Sequence, residues 1–226
     1  MTSAGDIWAV LPVKETEFAK QRLAQQFSQD FRRKLALTMF EEVVRAVAGV
    51  SELTGIAVIT LDPAAAAIAS RFGARIWTDA AREGHTGAVA AAARCLAAND
   101  AGMLTLPGDI PLVSSADIRR VLQAHRSGRA FTIVPARDKQ GSNMIVCSPA
   151  DAVPLRFGAN SFFPHLDTAR QCGVEPTVVE CPAIALDLDE PQDIAEFMKV
   201  QSATATRCLL ERELARAPAE LERLAP

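Results

Sequence analysis

Short apolar runs alternate with stretches of helical spacing along most of the chain. Residues 7–12 make the first run, closed by Pro12. Residues 32–50 repeat apolar positions at helical spacing, with Leu35, Met39, Val43 and Val47 on one face. Further strands are predicted at 56–60, 74–77, 103–106 and 131–134. Helices are predicted at 63–72, at 87–98, and from Ser114 or Ser115 to about His125. Pro63 suits the first turn of its helix. This β-α-β alternation predicts an α/β domain with a mostly parallel central sheet flanked by helices. The unbroken apolar strands suit a sheet covered on both faces.

Beyond residue 135 the texture turns more polar. Strands are predicted at 143–147, 177–180 and 185–188, and helices at 161–172 and 191–200. From Ala203 onward, Leu209, Leu210, Leu214, Leu221 and Leu224 are set among charges, the pattern of an amphipathic helix interrupted near Pro218. The expected organisation is one domain over 1–200 and a helical tail over 201–226. The tail either packs on that domain or makes a subunit contact in a homodimer.

Composition narrows the classes. The length of 226 residues allows one large domain or two small ones, at roughly 100–200 residues per domain. The net charge of −3, with no Tyr and two Trp, argues against a nucleic-acid surface. The five cysteines show no CxxC spacing and are expected as reduced, mostly buried thiols. The N-terminus lacks a basic region ahead of an apolar core. No uncharged apolar run approaches the ~18 residues of a membrane span. A cytoplasmic protein with no membrane contact is expected.

In open parallel sheets, ligands bind outside the carboxyl ends of the strands. After the first strand come Lys14, Lys20 and Arg22, able to wrap an anion or to form a solvated basic loop. After the strand at 103–106 comes Leu-Pro-Gly-Asp, placing Asp109 either as a ligand for Mg²⁺ or as a turn former. Asp187 and Asp189, two apart in an extended run, would face one side. Asp189 also suits a cap for the helix begun by Pro191. Before the strand at 143–147 lie Gly141, Ser142 and Asn143. Gly158 and Ser161 offer donors at a helix start, Ser161 as ligand contact or plain cap. His125 reads as a surface residue, His165 as packed or near the site, and His85 as part of a loop between strand and helix. Separated acidic sites with a basic loop are what metal-assisted phosphoryl chemistry needs.

The motifs at 11–23, 106–112, 141–143, 157–162 and 186–194, in that order, resemble the guanylyltransferases of coenzyme F-420 biosynthesis. That family acts on 2-phospho-L-lactate, phosphoenolpyruvate or 3-phospho-D-glycerate. The resemblance implies a nucleotidyltransferase fold of the glycosyltransferase-A type. It implies transfer of GMP from GTP to the phosphate of a small three-carbon acid, with release of diphosphate. The product would pass to the next enzyme of that synthesis. By position, Lys14, Lys20 and Arg22 resemble the grip on the GTP phosphates, and Asp109, Asp187 and Asp189 the Mg²⁺ ligands. Ser142, Asn143, Gly158 and Ser161 resemble the acceptor contacts. Gly84 and His85, where the family often has Gly-Leu-Asn, fall near the nucleotide base. Two other functions remain open on the residues alone. One is a nucleotidyltransferase of the sugar-phosphate or molybdopterin type; the other is a non-catalytic nucleotide-binding scaffold.

Overall fold

The computed structural model describes residues 6–158 and 160–216. Seven strands form one sheet: β1 (Ile7–Pro12), β2 (Gly55–Ile59), β3 (Arg75–Trp77), β4 (Gly102–Thr105), β5 (Ala130–Pro135), β6 (Ser142–Ser148) and β7 (Thr177–Val178). Their order is β3-β2-β1-β4-β6-β5-β7. β1 pairs in parallel with β2 on one side and with β4 on the other. β6 runs antiparallel to both its neighbours, β4 and β5. The remaining five strands therefore point the same way as β1. Because β6 alone is reversed, its first residues, Ser142 and Asn143, emerge at the same sheet edge as the carboxyl ends of β1 and β4.

The period of two sorts side chains onto two buried faces. Ile7, Ala9 and Leu11 of β1, with Ile56 and Val58 of β2, join a cluster under α1 (Gln29–Ala48), α2 (Pro63–Arg71) and α4 (Ser115–Ala124). Val10, Ala57 and Ile59 face the other way, toward α3 (Gly84–Ala97) and α5 (Phe162–Gln171). Five helices thus cover faces of a sheet whose strands are apolar on both sides, which is why the strands lack polar alternation.

A third cluster joins the basic loop to the carboxyl-terminal segment. Leu23, Phe27, Phe31, Leu35 and Met39 pack with Leu186, Leu188, Ile194 and Phe197. Ile194 and Phe197 belong to α7 (Pro191–Lys199), and Leu210 and Leu214 of α8 (Ala205–Arg216) complete the cluster. The described part of the tail, up to residue 216, thus packs against α1 and α7 through Leu210 and Leu214. Glu42 of α1 accepts hydrogen bonds from Thr206 Oγ1 (2.5 Å) and Ala205 N (2.5 Å) at the start of α8. Leu221, Leu224 and the break near Pro218 lie outside the described residues. Among the described residues, no helix is long and apolar enough to cross a membrane.

The structure corrects several expectations. Residues 185–188 do not join the sheet: a helical turn, α6 (Pro182–Ala185), precedes an extended stretch. Its alternation survives nonetheless, with Leu186 and Leu188 buried and the aspartates between them partly open. His85 lies in the first turn of α3, which starts three residues earlier than its apolar pattern suggests. His125 is buried, bonded to Thr132 Oγ1 (2.8 Å) and Ser148 Oγ (2.9 Å), so it is no surface residue. Only Cys147 and Cys181 of the five thiols are buried. Cys95 is exposed because the apolar face of α3 uses its neighbours Ala92, Ala93 and Leu96.

Asp62 ties the loop after β1 to the sheet. Its carboxylate caps α2, accepting from Ala64 N (2.8 Å) and Ala65 N (3.0 Å). It also accepts from Thr16 N (2.7 Å) and Thr16 Oγ1 (2.5 Å). Burial pushes this carboxyl up, but these four hydrogen bonds outweigh it and hold it below its ordinary range. Asp62→Ala is expected to cost about 1–3 kcal/mol in urea unfolding at neutral pH. A depressed folded-state value means the contribution is full above the unfolded carboxylate's value and fades as pH falls through the folded one. The gap between wild type and variant should narrow on acidification; a constant gap would refute the assignment.

Candidate active site

β1 and β4 are sequence-distant neighbours at the point where the strand order reverses, the position that opens a crevice at their carboxyl ends. The loop leaving β1 supplies the cations. Lys20 takes a left-handed backbone conformation (φ 54°), an uncommon one for a side chain other than Gly or Asn. Arg32, buried at the start of α1, holds that turn: its guanidinium donates to the carbonyls of Ala19 (2.9 Å), Phe27 (3.3 Å) and Lys20 (3.4 Å). Arg32 was legible in the sequence only as a helix residue; its burial is what marks its role.

The turn aims the Lys20 ammonium between two carboxylates. Nζ donates to Asp109 Oδ2 at 2.5 Å and to Asp189 Oδ1 at 3.3 Å. Burial alone would lower the Lys20 ammonium, but Asp109 and then Asp189 raise it above its ordinary value by charge and hydrogen bonding. Arg22 sits outside, bonding Asp189 Oδ2 (3.2 Å) and Glu190 Oε1 (2.8 Å). Asp189 is not the cap of α7. The N-cap is Glu190, and Asp193, three residues on, closes a capping box by accepting from the backbone N–H of Glu190 (2.8 Å) and also of Asp189 (3.0 Å). The Asp189 carboxylate is thereby left to face the crevice.

Asp187 stands one strand period away. Asn143 Nδ2 donates to Asp187 Oδ1 (3.1 Å) and to the carbonyl of Ile184 (2.9 Å), fixing the acidic segment against the start of β6. Burial, then the neighbouring Asp109 charge, push the Asp187 carboxyl above its ordinary range. A carboxylate so placed gains from any cation brought near it.

Two cavities adjoin and share Asp189. One, of about 350 Å³, is lined by Lys14, Lys20, Phe40, His85, Gly108 and Asp109 among others. The other, of about 530 Å³, is lined by Arg22, Asn143, Gly158, Asn160, Asp187 and Glu190 among others. The three expected cations are thus divided: Lys14 and Lys20 face the first cavity and Arg22 the second. His85 packs on Phe157 (ring centroids 4.5 Å apart). Burial is the main reason its pKa falls to about 4, with Lys14 adding to the shift and Asp109 opposing it. It is a neutral ring at pH 7. Gly84, with φ 72°, has open space around it and forms the bend into α3. Ser142 and Ser161 do not line the second cavity but adjoin residues that do, Gly141, Asn143 and Asn160; Ser142 Oγ lies 3.3 Å from Ser161 Oγ and 3.0 Å from His165 Nδ1. Ser161 makes no capping bond, so its hydroxyl is free of the helix.

Among the described residues, no three His, Cys, Asp or Glu side chains converge as a ready metal site. Asp109 and Asp189 nevertheless bracket one cation position, which the Lys20 ammonium takes. These are hard oxygen donors, suited to a divalent ion such as Mg²⁺, so the residues present fit such an ion.

Residues 7–216 match a family model described as "Guanylyl transferase CofC like". Two similar proteins are phosphoenolpyruvate guanylyltransferases. The one from Rubrobacter xylanophilus is 35% identical over 195 residues, covering 84% of this chain and 93% of that protein. The one from Roseiflexus castenholzii is 32% identical over 216 residues, covering 96% and 99%. A crystal structure from Desulfovibrio desulfuricans, described as that of a nucleotide-diphospho-sugar transferase, superposes with a TM-score of 0.73. It covers 97% of this chain and 98% of that one at 16% identity, a likeness of fold.

If the two carboxylates share one cation position, replacing the ammonium should expose it. Lys20→Met is expected to lower the melting temperature by a few degrees. That corresponds to about 1–2 kcal/mol, discounted because Asp109 and Asp189 are 27% and 42% exposed. Millimolar MgCl₂ should then raise the melting temperature of the variant more than that of the wild type. Equal shifts in both proteins would show that the carboxylates do not act on a common ion.

Proposed function

The chain belongs to the guanylyl transferase CofC-like family, and we propose that it joins GMP from GTP to the phosphate of phosphoenolpyruvate in coenzyme F-420 synthesis. It is a nucleotidyltransferase. The observation that carries the reading is the pair of adjoining cavities meeting at Asp189, with Lys20 and Asp109 lining one and Asp187 the other. GTP occupies the side lined by Lys14, Lys20 and His85, and the phospho-acid the side lined by Asn143, Gly158 and Arg22. The names of the relatives favour phosphoenolpyruvate over 2-phospho-L-lactate and 3-phospho-D-glycerate.

In this reaction an oxygen of the acceptor phosphate attacks the α-phosphorus of GTP. The bond from that phosphorus to the bridging oxygen of the β-phosphate breaks, and diphosphate leaves. The acceptor phosphate is already ionised near neutral pH, so no general base is needed. Asp109, Asp187 and Asp189 would hold Mg²⁺, which when bound neutralises charge on the phosphates and aligns them. Lys14 and Lys20 bring point charges to the triphosphate, and Arg22 a fork to the acceptor side. Catalysis is otherwise positioning: two polyanions are brought together by a protein that is itself net negative. The guanylylated acid, a reactive mixed phosphoanhydride, passes to the next enzyme of the synthesis.

Diphosphate release from GTP and MgCl₂ with each of the three phospho-acids tests the assignment, the next enzyme serving as product trap. Phosphoenolpyruvate should be the preferred acceptor; a preference for either other acid would overturn that choice. Asp109→Ala should lower turnover at least 10²–10³-fold while melting as a folded protein. Full activity in that variant would remove Asp109 from the metal set.

A further inference from the structure

Behind the acceptor side of the site lies a buried imidazole that the transfer chemistry does not use. His165 is 1% exposed and sits in α5, packed beside Phe157 and Phe131. Both its ring nitrogens are engaged. The backbone N–H of Arg156 donates to Nε2 at 3.0 Å. A backbone amide has no other role open to it, so Nε2 must be the unprotonated nitrogen. The proton of the neutral ring is therefore on Nδ1, which donates to Ser142 Oγ at 3.0 Å.

The consequence is a matter of counting hydrogens. Ser142 and Ser161 carry one hydroxyl hydrogen each and lie 3.3 Å apart. With the opposite tautomer, Ser142 would spend its hydrogen on Nδ1, and Ser161 would be drawn to donate to Ser142. Neither would then be left for a ligand. With Nδ1–H donating, Ser142 is an acceptor toward the ring. At least one hydroxyl hydrogen remains for the ligand even when the serines bond each other, and both remain when they do not.

We propose that His165 is a positioning residue for the transfer reaction. Through a tautomer set by the Arg156 amide, it makes the Ser142–Ser161 pair a donor to the anionic acceptor. The ligand class follows from the donors: a carboxylate or phosphate oxygen is favoured, and a group that can only donate is disfavoured. This rests on the reading of Ser142 and Ser161 as acceptor contacts. A family-level motif at 141–143 and 157–162 does not contain it, because His165 lies outside both stretches and acts from the next turn of α5.

Two amides separate donation from bulk. In His165→Asn the side-chain NH₂ falls near Nδ1 and can still donate to Ser142; in His165→Gln the amide falls near Nε2 and abandons Ser142. The full-length enzyme is assayed with GTP, MgCl₂ and the phospho-acid that proves most active. His165→Gln should raise the KM for the acid by about tenfold, the worth of one hydrogen bond to a charged group. The KM for GTP should stay unchanged, and His165→Asn should stay near wild type at matched melting temperature. In a Ser142→Ala background the difference between Asn and Gln should disappear. The proposal is overturned if Asn and Gln raise the KM for the acid equally, if neither does, or if their difference persists without Ser142. The double variant Ser142→Ala/Ser161→Ala separates the two readings. If it raises the KM for the acid while Asn and Gln behave alike, only the role of His165 falls. If it leaves that KM unchanged, the serines are not acceptor contacts, and His165 loses its role with them.

Discussion

The placement of the Lys20 ammonium between Asp109 and Asp189 is the interaction on which the site depends. Three segments far apart in sequence must arrive together for it to exist: the loop after β1, the turn after β4 and the stretch before α7. Without it Asp109 and Asp189 would face each other as like charges across the crevice. The same arrangement suits a reaction between two polyanions. A site able to hold Lys⁺ between carboxylates can exchange contacts as phosphates and a divalent ion enter.

Apolar packing makes that convergence rigid. Leu23 from the basic loop and Leu186 and Leu188 from the acidic stretch enter one cluster with α1, α7 and α8. Burying the leucines turns Asp187 and Asp189 outward to the crevice, because extended residues alternate. Arg32 then fixes the backbone that carries Lys20, donating to the carbonyls of Ala19 and Lys20 at the left-handed turn and to that of Phe27 ahead of α1. The capping box between Glu190 and Asp193 at the start of α7 leaves the Asp189 carboxylate to face the crevice.

Much of this was legible along the chain. Apolar runs and helical spacings located most elements, since both periodicities are local. Lys14, Lys20, Asp109, Asp187 and Asp189 stood at strand ends or in an extended acidic run, and all line the paired cavities. The acidic stretch was legible as extended but not as unpaired, because pairing depends on which edges of the sheet are free. His125 and Cys95 were misread for a related reason: whether a helix residue faces core or water depends on what packs against its helix. Arg32 and His165 carry no motif, and their roles come from burial and from partners in other segments.

The chain by itself determined the kinds of element, the alternation that sends leucines inward and aspartates outward, and the stock of charges near strand ends. These follow from spacings of two to four residues. Only the tertiary structure decided that β6 runs against its neighbours and so delivers Ser142 and Asn143 to the edge where β1 and β4 end. It also decided that Lys20 reaches Asp109 and Asp189, and that an amide nine residues from His165 chooses the tautomer of that ring. Such outcomes depend on strand direction, on packing between distant segments and on which groups are left without water. The physical quantities involved are long-range burial and hydrogen-bond partnership, and no local pattern encodes them.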